Sequence, residues 1–266
     1  MKRIGCLSLL IVLCIAFLTI ASVSAASPLS PASASPRPFM IKSFASSTTG
    51  GIAQVDPASV SADICLDPAA IKLANYDGIL SSDGLSFAER FNGQSLTTNG
   101  DFDVLSGSPA NPLALQVGLP NQNIVVNKES KTYIAGLGHL GYPEFNAIGE
   151  GSIAVLYPAP QAAIKLDVYG SDSGPMTANF FKDDGTLIGT SIIDPLTDGT
   201  YAFKTTSGNA EISGISVTNT DPAGIGYSGF CYSKGPAIPE FPSMFVPLLM
   251  IISMLGILLL VKGRKE

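Results

Sequence analysis

The sequence predicts an all-β protein built as a single β-sandwich or jelly roll. Gly, Asn, Asp and Pro divide the middle of the 266-residue chain into short runs rich in Val, Ile, Phe and Tyr. No run keeps helical periodicity over several turns, whereas several alternate as strands do. We assign residues 51–235 to one domain, because sheets of this length often fold as a single unit.

The assignment of strands depends on patterns in individual segments. "AIKLDVYG" places Ile164, Leu166 and Val168 on one face of a strand. "TANFFKDDGTLIGTSII" predicts a hairpin turning at Lys-Asp-Asp-Gly, with Gly185 in the left-handed position. "AEISGISVTNTD" and "GIGYSGFCYS" predict two closing strands joined by a turn at residues 221–224. Only "DPAAIKLAN" indicates a helix, with Asp67 as its N-cap.

The start of the chain has the pattern of an export signal. Lys2 and Arg3 precede an apolar run over residues 4–20, and small residues follow. Residues 1–25 are therefore predicted to be a signal peptide. Lipoprotein modification of Cys14 is disfavoured, because Leu13 stands where a small residue is needed. Residues 26–50 are rich in Ser, Ala, Pro and Thr, which predicts a disordered spacer.

The end of the chain contains a second apolar segment. Residues 241–261 carry no charge and would span about 30 Å as a helix, enough to cross a bilayer. The basic tail at 262–266 would remain on the cytoplasmic side, which leaves the upstream domain outside the cell. A membrane is therefore an expected partner of this segment.

Residues just ahead of that helix suggest how the end is processed. Pro239, Glu240 and Phe241, followed by an apolar helix and a basic tip, resemble the PEF-CTERM sorting signal of archaeal surface proteins. The resemblance covers residues 236–266. It implies an archaeosortase as a partner, a membrane transpeptidase that cuts near the motif and transfers the new end to another anchor. The alternative is an unprocessed tail anchor.

Charge and cysteine content limit the kinds of partner and the redox environment expected for the predicted exported domain. Without the two terminal segments the chain keeps 10 basic and 20 acidic residues. Such an acidic surface repels phosphate backbones, so nucleic acid is not an expected partner, whereas cations are. Cys65 and Cys231 are the cysteines left after the signal peptide. In an exported domain they predict one disulfide, with two separate buried thiols as the alternative.

The domain itself also resembles a known group. "LSFAERFNGQSL", "GDFDVLSG", "LGHLGYPEFNAIGEGSIAVLYP" and "ISVTNTDPAGIGYSGFCY" are similar to stretches in the ectodomains attached to PEP-CTERM and PEF-CTERM signals. The similarity covers residues 78–232. It implies a surface protein with a lectin-like sandwich.

Little in the sequence indicates catalysis. The chain has a single histidine, His139, and contains no zinc, phosphate-binding or nucleophile-elbow motif. Loop acids suggest a structural Ca²⁺ instead, because carboxylate oxygens are its preferred ligands. The candidate ligands are Asp83, Asp101, Asp103, Glu150 and Asp221. The alternative is that these acids only make the surface soluble.

Sugar recognition usually depends on aromatic side chains, and this chain has no Trp. The candidates are Tyr142, Phe145 and Tyr169, together with Tyr133. We therefore expect a non-catalytic envelope or matrix component that binds polysaccharide. Two alternatives are a carbohydrate-active hydrolase using Glu144 or Glu150 and a structural surface protein without a small ligand.

Overall fold

The structure, a computed structural model, describes residues 45–233, and their regular structure is almost entirely β. In chain order the strands are β1 (Ala45–Gly50), β2 (Ile52–Val55), β3 (Ile64–Leu66), β4 (Ala74–Tyr76), β5 (Leu80–Ser82), β6 (Leu85–Ala88), β7 (Arg90–Phe91), β8 (Ser95–Asn99), β9 (Phe102–Ser106), β10 (Leu115–Gln116), β11 (Ile124–Lys128), β12 (Thr132–Leu137), β13 (Ile148–Gly151), β14 (Ile153–Gln161), β15 (Ala163–Tyr169), β16 (Met176–Phe181), β17 (Leu187–Asp194), β18 (Gly199–Thr205), β19 (Ile212–Asn219) and β20 (Gly226–Tyr232). The all-β class predicted from the sequence is confirmed.

Two large sheets contain most of these strands. One has seven strands in the order β1-β17-β16-β19-β14-β6-β5. The other has nine, in the order β2-β18-β15-β20-β12-β11-β4, with β13 added beside β12 and β3 beside β20. Neighbouring strands in both sheets are antiparallel. Two small ribbons, β7 with β10 and β8 with β9, accompany them.

The two large sheets pack face to face. In β15, Ile164, Leu166 and Val168 are buried while the residues between them are partly exposed, as the alternation in the sequence predicts. These three residues belong to a core cluster that also contains residues of the seven-stranded sheet, such as Phe180 of β16. The result is a sandwich whose main core lies between the sheets.

Aromatic rings bridge this core. Phe87 of β6 meets Phe230 of β20 edge to face with ring centres 5.1 Å apart. Phe180 of β16 and Phe203 of β18 have ring centres 5.0 Å apart. All four side chains are completely buried. Because burial of one such side chain contributes roughly 1.5–3 kcal/mol, these contacts are a large part of what holds the sheets together.

Each large sheet also buries part of its outer face. On the nine-stranded sheet a second apolar cluster is formed by Val125, Tyr133, Ala135, Leu137 and Ala147. On the seven-stranded sheet a third cluster is formed by Phe91, Leu113, Ala154 and Phe181. Strand β12 is therefore buried on both faces, which requires other segments to cover it from outside.

Predicted turns and boundaries have mixed outcomes. The hairpin between β16 and β17 turns at Lys182 to Gly185 as predicted, and Gly185 has a φ of 81°. The expected spacer at 26–50 ends too late, because Ala45–Gly50 pairs with β17 along its whole length. Residues 26–44 lie outside the described part of the chain.

The helix predicted near residue 70 is shorter than expected. Asp67 does cap it, since its carboxylate accepts a hydrogen bond from the Ala69 N–H at 2.9 Å. However, the helix is one 3₁₀ turn, Pro68–Ala70. The chain then enters β4, whose pairing with β11 satisfies the backbone in an extended conformation instead. The other 3₁₀ turns are Pro57–Ser59 and Phe145–Ala147.

The predicted terminal segments are not part of the described structure. Signal peptide 1–25, the sorting motif Pro239, Glu240 and Phe241, and the apolar segment 241–261 all fall outside residues 45–233. Within residues 45–233, no helix has the length and apolar character needed to span a bilayer.

A disulfide joins an early strand to the last one. Cys65 of β3 and Cys231 of β20 are direct cross-strand partners, with Cα atoms 4.0 Å apart, and their sulfurs are bonded. This is the pair expected from the sequence. The bond spans a sequence separation of 166 residues, so it encloses most of the sandwich.

Replacing both cysteines by serine should lower the free energy of unfolding by about 5 kcal/mol, because the unfolded chain regains the freedom of a very long loop. Cys65 is exposed and Cys231 is half-buried, so lost packing contributes little. Urea unfolding of the two proteins measures the difference. Wild-type protein unfolded in reductant is the control and should show the same loss. Equal stability of the oxidised, reduced and substituted proteins would contradict this role.

Candidate ligand-binding cleft

A cleft of about 410 Å³ lies beside the nine-stranded sheet, where β12, β15 and β20 meet. We call it the acidic cleft. Its side-chain lining comprises Asp101, Glu129, Tyr133, Phe145, Asn146, Ile148, Glu150, Tyr169 and Ile225, and the backbone of residues 222–226 forms another wall. The lining contains three carboxylates and no Lys or Arg among the described residues. Its volume is within the range that suits a small ligand.

The cleft exists because residues 138–151 fold back over the outer face of β12. The Gly138 N–H donates to the Ala147 carbonyl at 2.8 Å, which closes this excursion at its base. Ala147 and Ile148 then pack on the apolar cluster of the outer face. This segment removes the apolar outer side of β12 from water and leaves the cleft along the edge of the segment.

Two glycines allow the covering segment to approach the last loop. A Cβ on Gly149 would lie 2.6 Å from the Ile225 nitrogen, and Gly149 has a φ of 88°. A Cβ on Gly224 would lie 2.6 Å from the Ile148 carbonyl oxygen. Both distances are shorter than side chains tolerate, so only glycine lets these two backbones meet. The Ile225 N–H then donates to the Gly149 carbonyl at 3.0 Å.

One wall of the cleft is a pair of tyrosines held by Glu129. The Tyr133 hydroxyl donates to Glu129 Oε1 at 3.0 Å, and the Tyr169 hydroxyl donates to Glu129 Oε2 at 3.3 Å. The two ring centres are 5.4 Å apart. Burial, followed by the hydrogen bond to Glu129, raises the pKa of Tyr133 to about 12. The Tyr133 phenol is therefore a neutral donor, and each carboxylate oxygen of Glu129 accepts one tyrosine hydrogen bond.

Among the buried carboxylates of the described residues, Glu150 has neither a hydrogen bond nor an ion pair. It is 7% exposed, and its Oε2 is buried without a hydrogen-bond partner among the described residues. Burial raises the pKa of the Glu150 carboxyl, and the negative charge of Asp101 raises it further, while His139 opposes the shift. A hydrogen-bond donor or a cation placed beside Glu150 would therefore lower the free energy of its ionised form.

Asp103 lies next to this group but serves the fold. It is 2% exposed and accepts hydrogen bonds from the Ser152 N–H at 2.8 Å and the Ser152 hydroxyl at 3.3 Å. Burial raises the pKa of Asp103 despite these hydrogen bonds. Its role is to link the β8–β9 ribbon to the start of β14.

The five acids suggested as Ca²⁺ ligands do not converge. Asp101 and Glu150 line the acidic cleft, whereas Asp83 lies on the exposed turn between β5 and β6. Within residues 45–233 no group of three or more His, Cys, Asp or Glu side chains is arranged to hold a metal ion. The five acids therefore do not form one cluster in the described structure, and a Ca²⁺ role for individual members stays a prediction.

Hydrogen bonds from the protein itself make the Asp221 carboxylate unavailable to a metal. Asp221 is completely buried, and its carboxylate accepts hydrogen bonds from the Ser171 hydroxyl and from the backbone N–H groups of Asp172, Gly174 and Ala223, at 2.8–3.1 Å. Every one of these donors belongs to the loop before β16 or the turn before β20. Asp221 therefore fastens two loops together, which the sequence showed only as an ordinary Asp-Pro turn.

Of the four aromatic residues suggested as ligand contacts, Tyr133, Phe145 and Tyr169 reach the cleft. Tyr169 forms part of the tyrosine wall, and Phe145 lines the opening with 71% of its side chain exposed. Tyr142 is 45% exposed but is not part of the lining. Of the acids in the hydrolase alternative, Glu150 lines the cleft, while Glu144 is an exposed residue outside the lining.

Sequence reasoning missed Glu129 and the backbone wall at residues 222–226. Glu129 stands in "NKESK", which has the composition of any polar turn between two strands. Its function depends on Tyr169, forty residues further on, and no local pattern connects them. The turn at 221–224 was recognised, but a turn motif does not tell which side chains lie beside it.

Comparisons with known proteins add no further assignment. No protein-family model matches this chain, and neither a curated protein nor a solved structure gives a match.

The raised pKa of Glu150 has a measurable consequence for stability. Above the ordinary carboxyl pKa the folded protein binds more protons than the unfolded chain, so this group makes the wild type less stable as pH rises. Glu150→Gln lacks the group and should gain stability relative to wild type as pH rises above the ordinary carboxyl pKa. Urea unfolding at several pH values measures this difference.

Asp184→Asn is the control for this measurement. The Thr186 N–H lowers the pKa of the exposed Asp184 carboxyl, so this substitution should not produce a relative gain as pH rises. Identical pH profiles for wild type and Glu150→Gln would contradict the assignment of Glu150.

Proposed function

We propose that this protein is an exported, surface-anchored module that binds polysaccharide of the cell envelope or matrix at the acidic cleft, without catalysing its turnover. The observation that carries the proposal is the cleft itself. It combines an exposed aromatic side chain, a pair of tyrosine hydroxyls, and carboxylates in one opening. Sugars present apolar ring faces and many hydroxyls, so this combination suits them.

The connectivity of the strands supports a jelly-roll type of sandwich. Eight central strands form the facing orders β12-β20-β15-β18 and β14-β19-β16-β17. Followed along the chain, this is the double Greek-key arrangement of jelly rolls, an architecture that includes lectin domains. Because a fold hosts many functions, this likeness adds weight only together with the cleft.

The segments that resemble PEF-CTERM ectodomains also bear on the proposal. "LGHLGYPEFNAIGEGSIAVLYP" supplies Phe145 and Glu150, and "ISVTNTDPAGIGYSGFCY" supplies the backbone wall at residues 222–226. Two stretches separated by about seventy residues in sequence thus meet at one cleft. The sorting motif at residues 239–241 supports display at the surface, and the Cys65–Cys231 disulfide is typical of exported domains.

Phe145 gives the sharpest test of binding at the cleft. The full chain, held in a mild detergent, should be retained on purified envelope polysaccharide from the source cells. Phe145→Ala should weaken this retention, because the substitution removes the large apolar ring face that a sugar would cover. Phe145 is mostly exposed, so the substitution should leave the unfolding midpoint unchanged.

Tyr142→Ala is the matched control, since Tyr142 is an exposed aromatic outside the lining. Equal loss in both variants would place binding elsewhere. No retention of the wild type would favour a structural role without a small ligand. Release of reducing ends that disappears in Glu150→Gln would favour the hydrolase, for which the raised pKa of Glu150 is the supporting observation.

The anchor is tested by intact mass. Protein extracted from the membranes of the source cells should lack the residues beyond the Pro239–Phe241 region and carry an added group, since a transpeptidase exchanges one for the other. The same chain with Glu240→Ala and Phe241→Ala is the control and should keep its full C-terminus. A wild-type mass that retains Glu266 would leave the unprocessed tail anchor as the explanation.

A further inference from the structure

The acidic cleft contains a buried carboxylate oxygen with no partner, and this suggests what the ligand must bring. Glu150 lines the cleft while 93% of its surface is covered, and its Oε2 makes no hydrogen bond within the described residues. Buried carboxylates are normally paired, because an unpaired one loses its hydration without compensation. Because Glu150 lines the cleft, a ligand bound there can compensate its charge.

The missing group should be positively charged. Asp101 also lines the cleft and is close enough for its charge to act on Glu150, so the two acids reinforce each other's negative potential. The third lining acid, Glu129, already accepts a hydrogen bond from Tyr133 and one from Tyr169. The described lining residues include no Lys or Arg, while outside the lining His139 acts on Glu150 and Lys131 lies over the Tyr169 ring. A cation in the cleft that donates hydrogen bonds would compensate the negative charge that Glu150 and Asp101 place there.

A bare metal ion does not fit this role. In residues 45–233 no three acidic, histidine or cysteine side chains are grouped as metal ligands. Asp103, the nearest further acid, is occupied by Ser152. An ammonium group needs fewer ligands, because its three N–H donors can be shared among two carboxylates and a carbonyl or hydroxyl.

We propose that the acidic cleft selects a sugar residue carrying a primary ammonium group, with Glu150 and Asp101 as its anionic partners and Phe145 against the ring. This inference rests on the proposed function and names the class of saccharide. The exposed Phe145 at the opening and a volume of about 410 Å³ suit a ring rather than a thin alkyl chain such as a lysine side chain.

The test compares two oligosaccharides that differ by one chemical change. The full chain in mild detergent is titrated by calorimetry with a glucosamine tetrasaccharide and with its fully N-acetylated counterpart, in which every ammonium is blocked. The amine form should bind at least about tenfold more tightly, since a hydrogen-bonded charge pair contributes on this scale. Raising salt from about 0.05 to about 0.5 M should weaken the amine form selectively.

Variants connect this preference to the cleft. Glu150→Gln keeps the shape of the side chain but removes its charge, and it should abolish the preference. Asp101→Asn, at an exposed position, should reduce it and provides a second variant should Glu150→Gln fold poorly. Asp184→Asn removes a negative charge from the β16–β17 turn, outside the lining, and should leave the preference unchanged.

Each other outcome overturns the inference. Equal binding of the two oligosaccharides, or binding of neither, removes the ammonium partner. Loss of both in chelator would show a metal, and competition by Nα-acetyl-lysine methylamide as strong as by the amine sugar would show a protein ligand. Retention on envelope polysaccharide decides the proposed function separately, so binding there without the amine preference would refute only this inference.

Discussion

The nine-stranded sheet has to bury apolar side chains on both of its faces, and much of the molecule follows from this. Its inner face packs against the seven-stranded sheet through residues such as Phe230. Its outer face along β12 carries Tyr133 and Ala135, which must also leave water. Residues 138–151 provide that cover, and their close approach to the loop before β20 closes one side of the acidic cleft.

The same arrangement divides the acids into two kinds. Asp103, Asp221 and Glu129 accept hydrogen bonds from the protein's own donors and hold a ribbon, two loops and a tyrosine pair in place. Glu150 is covered by the same segments but receives no donor. A buried carboxylate without a donor concentrates uncompensated negative charge at that point, which does not contribute to stability.

Prediction from sequence succeeded where information is local. Three features that were predicted correctly depend only on residues a few positions apart in the sequence. They are the alternation in β15, the turn ending at Gly185 and the cap at Asp67. Prediction failed where partners are distant. The predicted helix after Asp67 is short because β4 pairs with β11. The predicted spacer ends earlier than residue 50 because Ala45–Gly50 pairs with β17.

The sequence by itself determined the all-β class, the acidic character of the domain and the cysteines that pair, because composition and period-two alternation are readable along the chain. Only the tertiary structure decided which acids meet. Phe145, Glu150 and Tyr169 came together as a site, while Asp83 and Asp221 did not. The physical reason is that strand pairing, and not spacing in the sequence, sets which loops become neighbours. Paired strands can be separated by a length of chain that would span hundreds of ångströms if it were extended.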